Sequence, residues 1–168
     1  ILALLLFLPL GNKLFSSQAL TRISQVSIFS SEEAKDVPFK FLQSEGFTFK
    51  NRLLHNRYNE YLLVFTQNYF RHFSPGFLFF DGDPQARHST RGLGMLYLWE
   101  LPFLLLGSAF ILKKENALAA KIVLPWILLA PVAASLALPS PHALRSLIIL
   151  PTFQILAAMG IYQFFLFL

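Results

Sequence analysis

Side chains able to do chemistry crowd into one part of this chain. Arg71, His72, Asp81, Asp83, Arg87, His88 and Arg91 stand within 21 residues of one another, and His142 and Arg145 follow further on. Arg87-His88-Ser89-Thr90-Arg91 offers two guanidiniums, an imidazole and two hydroxyls just ahead of an expected helix start. Arginine pairs bidentately with phosphate, and a helix N-terminus adds backbone N–H donors, so the run suits a diphosphate or a lipid phosphate. A hydroxyl cap flanked by arginines on lipid headgroups would use the same residues.

Asp81-Gly82-Asp83-Pro84 places two carboxylates on a turn. That suits a divalent metal ion held by oxygen, or an acid/base pair, although Asp, Gly and Pro also build ordinary turns. Arg71-His72 closes an expected helix, where cations bind a ligand or simply complement the dipole. His142 and Arg145, in Pro141-His142-Ala143-Leu144-Arg145, can share a cavity with Arg87 and His88 if both segments lie on one side of a membrane. An Arg at the head of a span also serves as an interfacial anchor. Glu100 lies about six residues, roughly 9 Å, inside an apolar run, and a carboxylate there points to function unless hydration or an arginine satisfies it. The candidate substrate-binding residues are therefore Arg71, His72, Asp81, Asp83, Arg87, His88, His142 and Arg145. No catalytic residue is assigned, and the metal question stays open. Nucleotide-binding glycine patterns, a P-loop, His/Cys metal spacing and a nucleophile elbow are all missing, which removes the common soluble enzyme classes.

The elements that must position these groups are membrane elements. The chain is 55% hydrophobic and only 14% charged, with its apolar residues in long blocks. The fold class expected is mainly α: a polytopic membrane helix bundle with a large, mixed extracytoplasmic loop that contains an amphipathic helix. Residues 94–112 carry a single charged side chain, Glu100, and as a helix would be roughly 28 Å long, about the bilayer's hydrocarbon thickness. Residues 117–138, with Lys121 reaching outward, and 146–168 are two more spans. Residues 1–10 are too few to cross and read as the end of a span that starts upstream, so the sequence is expected to be a fragment.

Residues 11–93 form the large loop. Arg22 to Phe29 is expected to be a short strand, on its β-branched residues, and Ser30 with Glu33 to open a short helix that Pro38 ends. Phe39 to Phe49 suggests a hairpin around Gly46. Residues 51–73 repeat Leu54, Tyr58, Tyr61, Leu62, Phe65, Tyr69 and Phe73 at spacings of three and four, one face of an amphipathic helix that Pro75-Gly76 stops. Prolines 102, 125, 131 and 151 are expected to free the carbonyls of Leu98, Lys121, Ile127 and Leu147 for neighbouring helices to satisfy.

Lys113, Lys114 and Lys121 around one short connection make 113–116 cytoplasmic, leaving 11–93 and 139–145 extracytoplasmic. The loop's ten cations count little, because long loops cross regardless of charge. A net charge of +5 without a basic run favours anionic lipid over nucleic acid. Cysteine is absent, so disulfides and thiolate sites are excluded.

Two stretches, NYFRHFSPGFLFFDGDPQARHSTRGLGMLYLWELPFLLLG from Asn68 and PHALRSLIILPTFQILAAMG from Pro141, resemble the later part of bacterial GT-C glycosyltransferases. These are polytopic enzymes akin to protein O-mannosyltransferases and the aminoarabinose transferase of lipid A. The resemblance implies transfer of a sugar from a polyprenyl-phosphate-linked donor to a lipid, glycan or protein acceptor, at the outer face of a bacterial plasma membrane. It also implies that the catalytic carboxylate lies in an earlier outer loop, outside this sequence. Asp81, Asp83, Arg87, His88 and Arg145 match as cavity-lining positions. The cations and proline-broken helices equally suit a transporter or flippase of an anionic lipid-linked substrate, or a scaffold whose loop binds a partner.

Overall fold

The structure, a computed structural model, describes residues 16–30, 56–85, 87–90 and 92–168. The chain divides into two compact units, Ile1–Phe65 and Thr66–Leu168. Among the described residues every regular element is helical. The expected span end at 1–10, the helix after Ser30 and the hairpin at 39–49 fall outside them.

In the first unit α1 runs Ser17–Val26 and is followed by a 3-10 turn, Ile28–Ser30. This overturns the strand expected from Arg22 to Phe29. Ser16 caps the helix, its Oγ accepting from the Ala19 N–H at 3.3 Å. The hydroxyls of Thr21 and Ser24 bond back to the carbonyls of Ser17 and Thr21, both at 2.8 Å. Preference for strand reflects packing on a sheet more than the backbone, and among the described residues there is no sheet. The Tyr61 hydroxyl donates to the Phe29 carbonyl at 3.2 Å and the two rings meet edge to face. Tyr61 belongs to α2, Arg57–Arg71, which occupies most of the amphipathic stretch read as 51–73. Asn56 starts it by accepting from the Asn59 N–H at 2.9 Å.

The second unit is built on α3, Leu101–Ile111, and α6, Leu150–Phe167. Leu104, Gly107 and Ile111 face Phe153, Leu156, Ala157 and Gly160, a stripe at helical spacing on each partner. The helices touch backbone to backbone. A Cβ on Gly107 would overlap the Leu156 carbonyl, and one on Gly160 the Phe103 carbonyl. Pro102 and Pro151 sit in the first turns of these helices, where no intrahelical bond is lost. They do not break helices as the sequence suggested. Short 3-10 turns, Leu98–Glu100 and Leu147–Ile149, lead into them.

Between them come α4, Ala117–Leu129, with Pro125 inside it, and a single turn, α5, Val132–Ser135, begun by Pro131. Around the break at Pro131, side chains of α2 take up carbonyls. The Tyr69 hydroxyl donates to Leu128 at 2.9 Å and the Asn68 amide to Ser135 at 3.2 Å. Trp126 Nε1 donates to the Ile148 carbonyl at 3.0 Å, and Asn116 covers the Phe110 carbonyl at the end of α3 at 2.9 Å.

Two helical stretches, Lys114–Ser135 and Leu147–Phe167, are long and apolar enough to cross a membrane. Leu118, Ile122, Leu129, Phe165 and Leu166 on them are exposed, an apolar surface that suits lipid. The third, Leu98–Ile111, is shorter. It spans roughly 21 Å, because Gly92 has φ +78° and Tyr97 is extended, so helix begins only at Leu98 and not at Gly94.

Candidate functional site

Near the end of α2 the chain buries two polar residues one turn apart, Asn68 and His72. His72 is fully enclosed. Its Nδ1 lies 2.8 Å from the Asn68 carbonyl, which fixes the proton on that nitrogen and leaves Nε2 enclosed without a partner. Burial pushes its pKa below the ordinary 6.5, the charge of His142 would push the same way, and the Asn68 carbonyl opposes both.

After α2 the Ser74 hydroxyl accepts from the Phe77 N–H and opens a π turn, Gly76–Phe80, whose end is closed by the Asp81 N–H on the Gly76 carbonyl. Gly82 follows with φ +69°, and a Cβ there would meet the Leu93 carbonyl at 2.5 Å. Only glycine fits this position, and it turns the next residue inward.

That residue is Asp83, 4% exposed. Its Oδ1 accepts from the Gln85 N–H at 2.8 Å, and its Oδ2 accepts from the Ala143 N–H at 2.7 Å, across sixty residues of chain. The Ser89 hydroxyl donates to the Asp83 carbonyl at 2.8 Å. On the other side, Ser146 holds the turn that presents Ala143, its hydroxyl donating to the His142 carbonyl at 2.8 Å.

His142, 7% exposed, brings Nδ1 to 3.5 Å from Asp83 Oδ2, and its ring lies 4.9 Å from that of His88, inclined by 35°. Burial lowers its pKa, the Arg145 guanidinium adds to this, Asp83 resists, and His88 lowers it slightly further. A neutral imidazole between a buried carboxylate and a second imidazole is the result. Arg145 itself donates from Nη1 to the carbonyls of Leu138 and Pro139, at 3.2 and 3.3 Å. Beside His88 opens a cleft of about 280 Å³, walled by the runs His88 to Thr90 and Leu93 to Tyr97. Gly94 lets this wall lie against Leu78 and Phe79, where the Leu96 N–H donates to the Leu78 carbonyl at 2.8 Å.

Of the eight candidates, the structure thus assembles Asp83, His88 and His142, with His72 and Arg145 within electrostatic range of His142. Arg71, Asp81 and Arg87 stand exposed. Asp81 and Asp83, read as a metal or acid/base pair or as part of an ordinary turn, part company: one is exposed and the other is buried against Ala143. Among the described residues no group of three His, Asp or Glu side chains is arranged to hold a metal ion. Arg91 lies outside the described residues. Glu100 is 7% exposed at the head of α3, with Oε2 enclosed and unpartnered.

Sequence reasoning gave no site role to Asn68 or Tyr97, and it offered Ser89 as a phosphate ligand or helix cap where its hydroxyl in fact holds the Asp83 carbonyl. Asn68 was legible as a polar residue four before His72 on the same helix face, but Ser89 and Tyr97 depend on how the loop returns on itself. No protein-family model, curated protein or solved structure matches the chain.

Proposed function

We propose that the chain is part of an integral membrane glycosyltransferase of the GT-C kind. It moves a sugar from a polyprenyl-phosphate donor to a lipid, glycan or protein acceptor at the outer face of a bacterial plasma membrane. One observation carries the reading. The two stretches that resemble those enzymes, 68–107 and 141–160, are far apart in sequence and yet form one unit, tied by Asp83 to Ala143 at the polar end and by Gly107 to Gly160 in the apolar seam.

The chemistry is consistent with an anionic lipid donor. Arg87 is exposed and can reach a phosphate, and Arg145 places a positive charge close to the His142–His88 pair. Positioning and stabilisation of the departing phosphate are what such a site contributes. The test is donor binding and sugar transfer by the intact protein in lipid nanodiscs. Arg87→Ala should weaken binding of the polyprenyl-phosphate sugar by about 1.5–3 kcal/mol, the worth of a charge-assisted hydrogen bond. Unchanged affinity removes Arg87 from the donor site.

A second reading, a transporter or flippase of an anionic lipid-linked substrate, is favoured by the break between α4 and α5 at Pro131. The two readings separate on product. A transferase releases polyprenyl phosphate, whereas a flippase returns the donor unchanged on the other leaflet.

A further inference from the structure

We infer that α1 is an interfacial helix whose apolar face rests in the headgroup layer of an anionic phospholipid bilayer. At about 100° per residue, Ala19, Leu20, Ile23 and Val26 gather within an arc of roughly 120°, and every other position of the helix is a hydroxyl, an amide or Arg22. Yet none of its residues is buried. Leu20 and Ile23 are 52% and 56% exposed, where a helix packed on protein would hide them. On the polar side the hydroxyls of Thr21 and Ser24 already bond carbonyls of their own helix. What the helix lacks is a cover for its aliphatic face.

Charge identifies the cover. Between Gly11 and Ser31 the charged side chains are Lys13 and Arg22, both cations, and no carboxylate accompanies them. A narrow aliphatic face below hydroxyls, amides and one guanidinium suits the boundary between headgroups and acyl chains, and the cations favour anionic lipid there. The same unit exposes more groups that such a boundary takes up, Phe29 just past α1 and Tyr58 and Leu62 on α2. Phe29 is fixed to α2 through Tyr61, whose ring meets it edge to face and whose hydroxyl holds its carbonyl.

Ten residues make a helix of roughly 15 Å, too short to hold a membrane tightly by itself. The chain makes up the difference. Lys114–Ser135 and Leu147–Phe167 are long and apolar enough to cross a bilayer, and a helix tethered to such spans meets lipid at high effective concentration, so a modest apolar face suffices. None of this depends on the sugar transfer proposed above. A transferase and a flippase would gain alike from a loop held close to the lipid surface.

The test places a nitrobenzoxadiazole reporter on the intact protein, freed of any other cysteine, in nanodiscs of mixed phosphatidylcholine and phosphatidylglycerol. Ile23→Cys carries it on the apolar face and Gln25→Cys on the opposite one, both at exposed positions whose replacement leaves the fold in place. The Ile23→Cys reporter should emit to the blue of the other. It should also be quenched at least about threefold more by doxyl groups on the lipid and at least about threefold less by aqueous iodide. In phosphatidylcholine alone, lipid quenching at Ile23→Cys should fall by about half. Equal lipid quenching at the two positions overturns the inference. So does an Ile23→Cys reporter shielded from iodide and doxyl lipid alike, which would mean that protein covers the face. Lipid quenching that is the same with and without phosphatidylglycerol overturns the anionic preference.

Discussion

The seam between α3 and α6 and the clasp between Asp83 and the His142–Ser146 turn hold the same unit together by opposite means. The seam is apolar, and its tightness comes from what is missing: Gly107 and Gly160 lack side chains, so the backbones meet. The clasp is polar and centres on one group, Asp83, which joins residues sixty positions apart. In lipid, where water cannot drive apolar surfaces together, close backbone packing at small residues is a main source of helix association. At the mouth of such a pair, a single buried carboxylate can join two loops and still leave the His88 imidazole on the wall of a cleft. The seam is therefore structural and intolerant of volume, whereas the clasp is electrostatic and sensitive to charge and pH.

Filling the seam should do the most damage. Gly107→Leu must separate α3 from α6 and is expected to cost about 3 kcal/mol. Thermal unfolding of the purified protein in detergent measures it, and a midpoint equal to wild type would mean that the helices do not meet at Gly107. Cutting the clasp comes next. Asp83→Ala leaves the Ala143 N–H buried without an acceptor, for a loss of about 1.5–3 kcal/mol. Amide hydrogen exchange should show Ala143 deprotected while Leu156 in the seam is unchanged, and equal deprotection of both would mean that seam and clasp open together.

The smallest effect is that of pH. The pKa values of His72 and His142 are both lowered from 6.5, chiefly by burial. Their contribution is complete above that value and is lost as pH falls through it toward the folded-state values, because the unfolded chain binds the protons first. Unfolding midpoints should fall modestly between pH 7.5 and 5.5, and His142→Gln should flatten that fall. A profile with no slope in this window would show that neither histidine is held neutral.

What the sequence made legible was periodic. The three- and four-residue spacing through Tyr58, Tyr61, Leu62, Phe65 and Tyr69 marked α2, and unbroken apolar runs marked the helices over 114–135 and 147–167. Composition misled where hydroxyls intervened. Ile23, Val26 and Ile28 read as strand, but Ser16, Thr21 and Ser24 bond to the backbone in the manner of a helix. The candidate site was legible as a list of residue types and not as an arrangement. Nothing local distinguishes Asp81 from Asp83, because the inward turn of Asp83 follows from Gly82 lying against Leu93, and its partner is sixty residues away. The start of helix at Leu98 was hidden for the same reason, since Gly94 is pressed onto Leu78 by the fold and not by its neighbours in sequence.

Under the proposed sugar transfer, the polar clasp faces the outside of the membrane. This chain has no cysteine, so Thr90→Cys adds one addressable thiol to it, on an exposed residue at the cleft. In the intact protein, freed of any other cysteine, that thiol should react with a membrane-impermeant maleimide added to whole cells, while Glu115→Cys, in the connection before α4, should react only after the membrane is opened. The reverse pattern, with Thr90→Cys reached only from the cytosol, would contradict it.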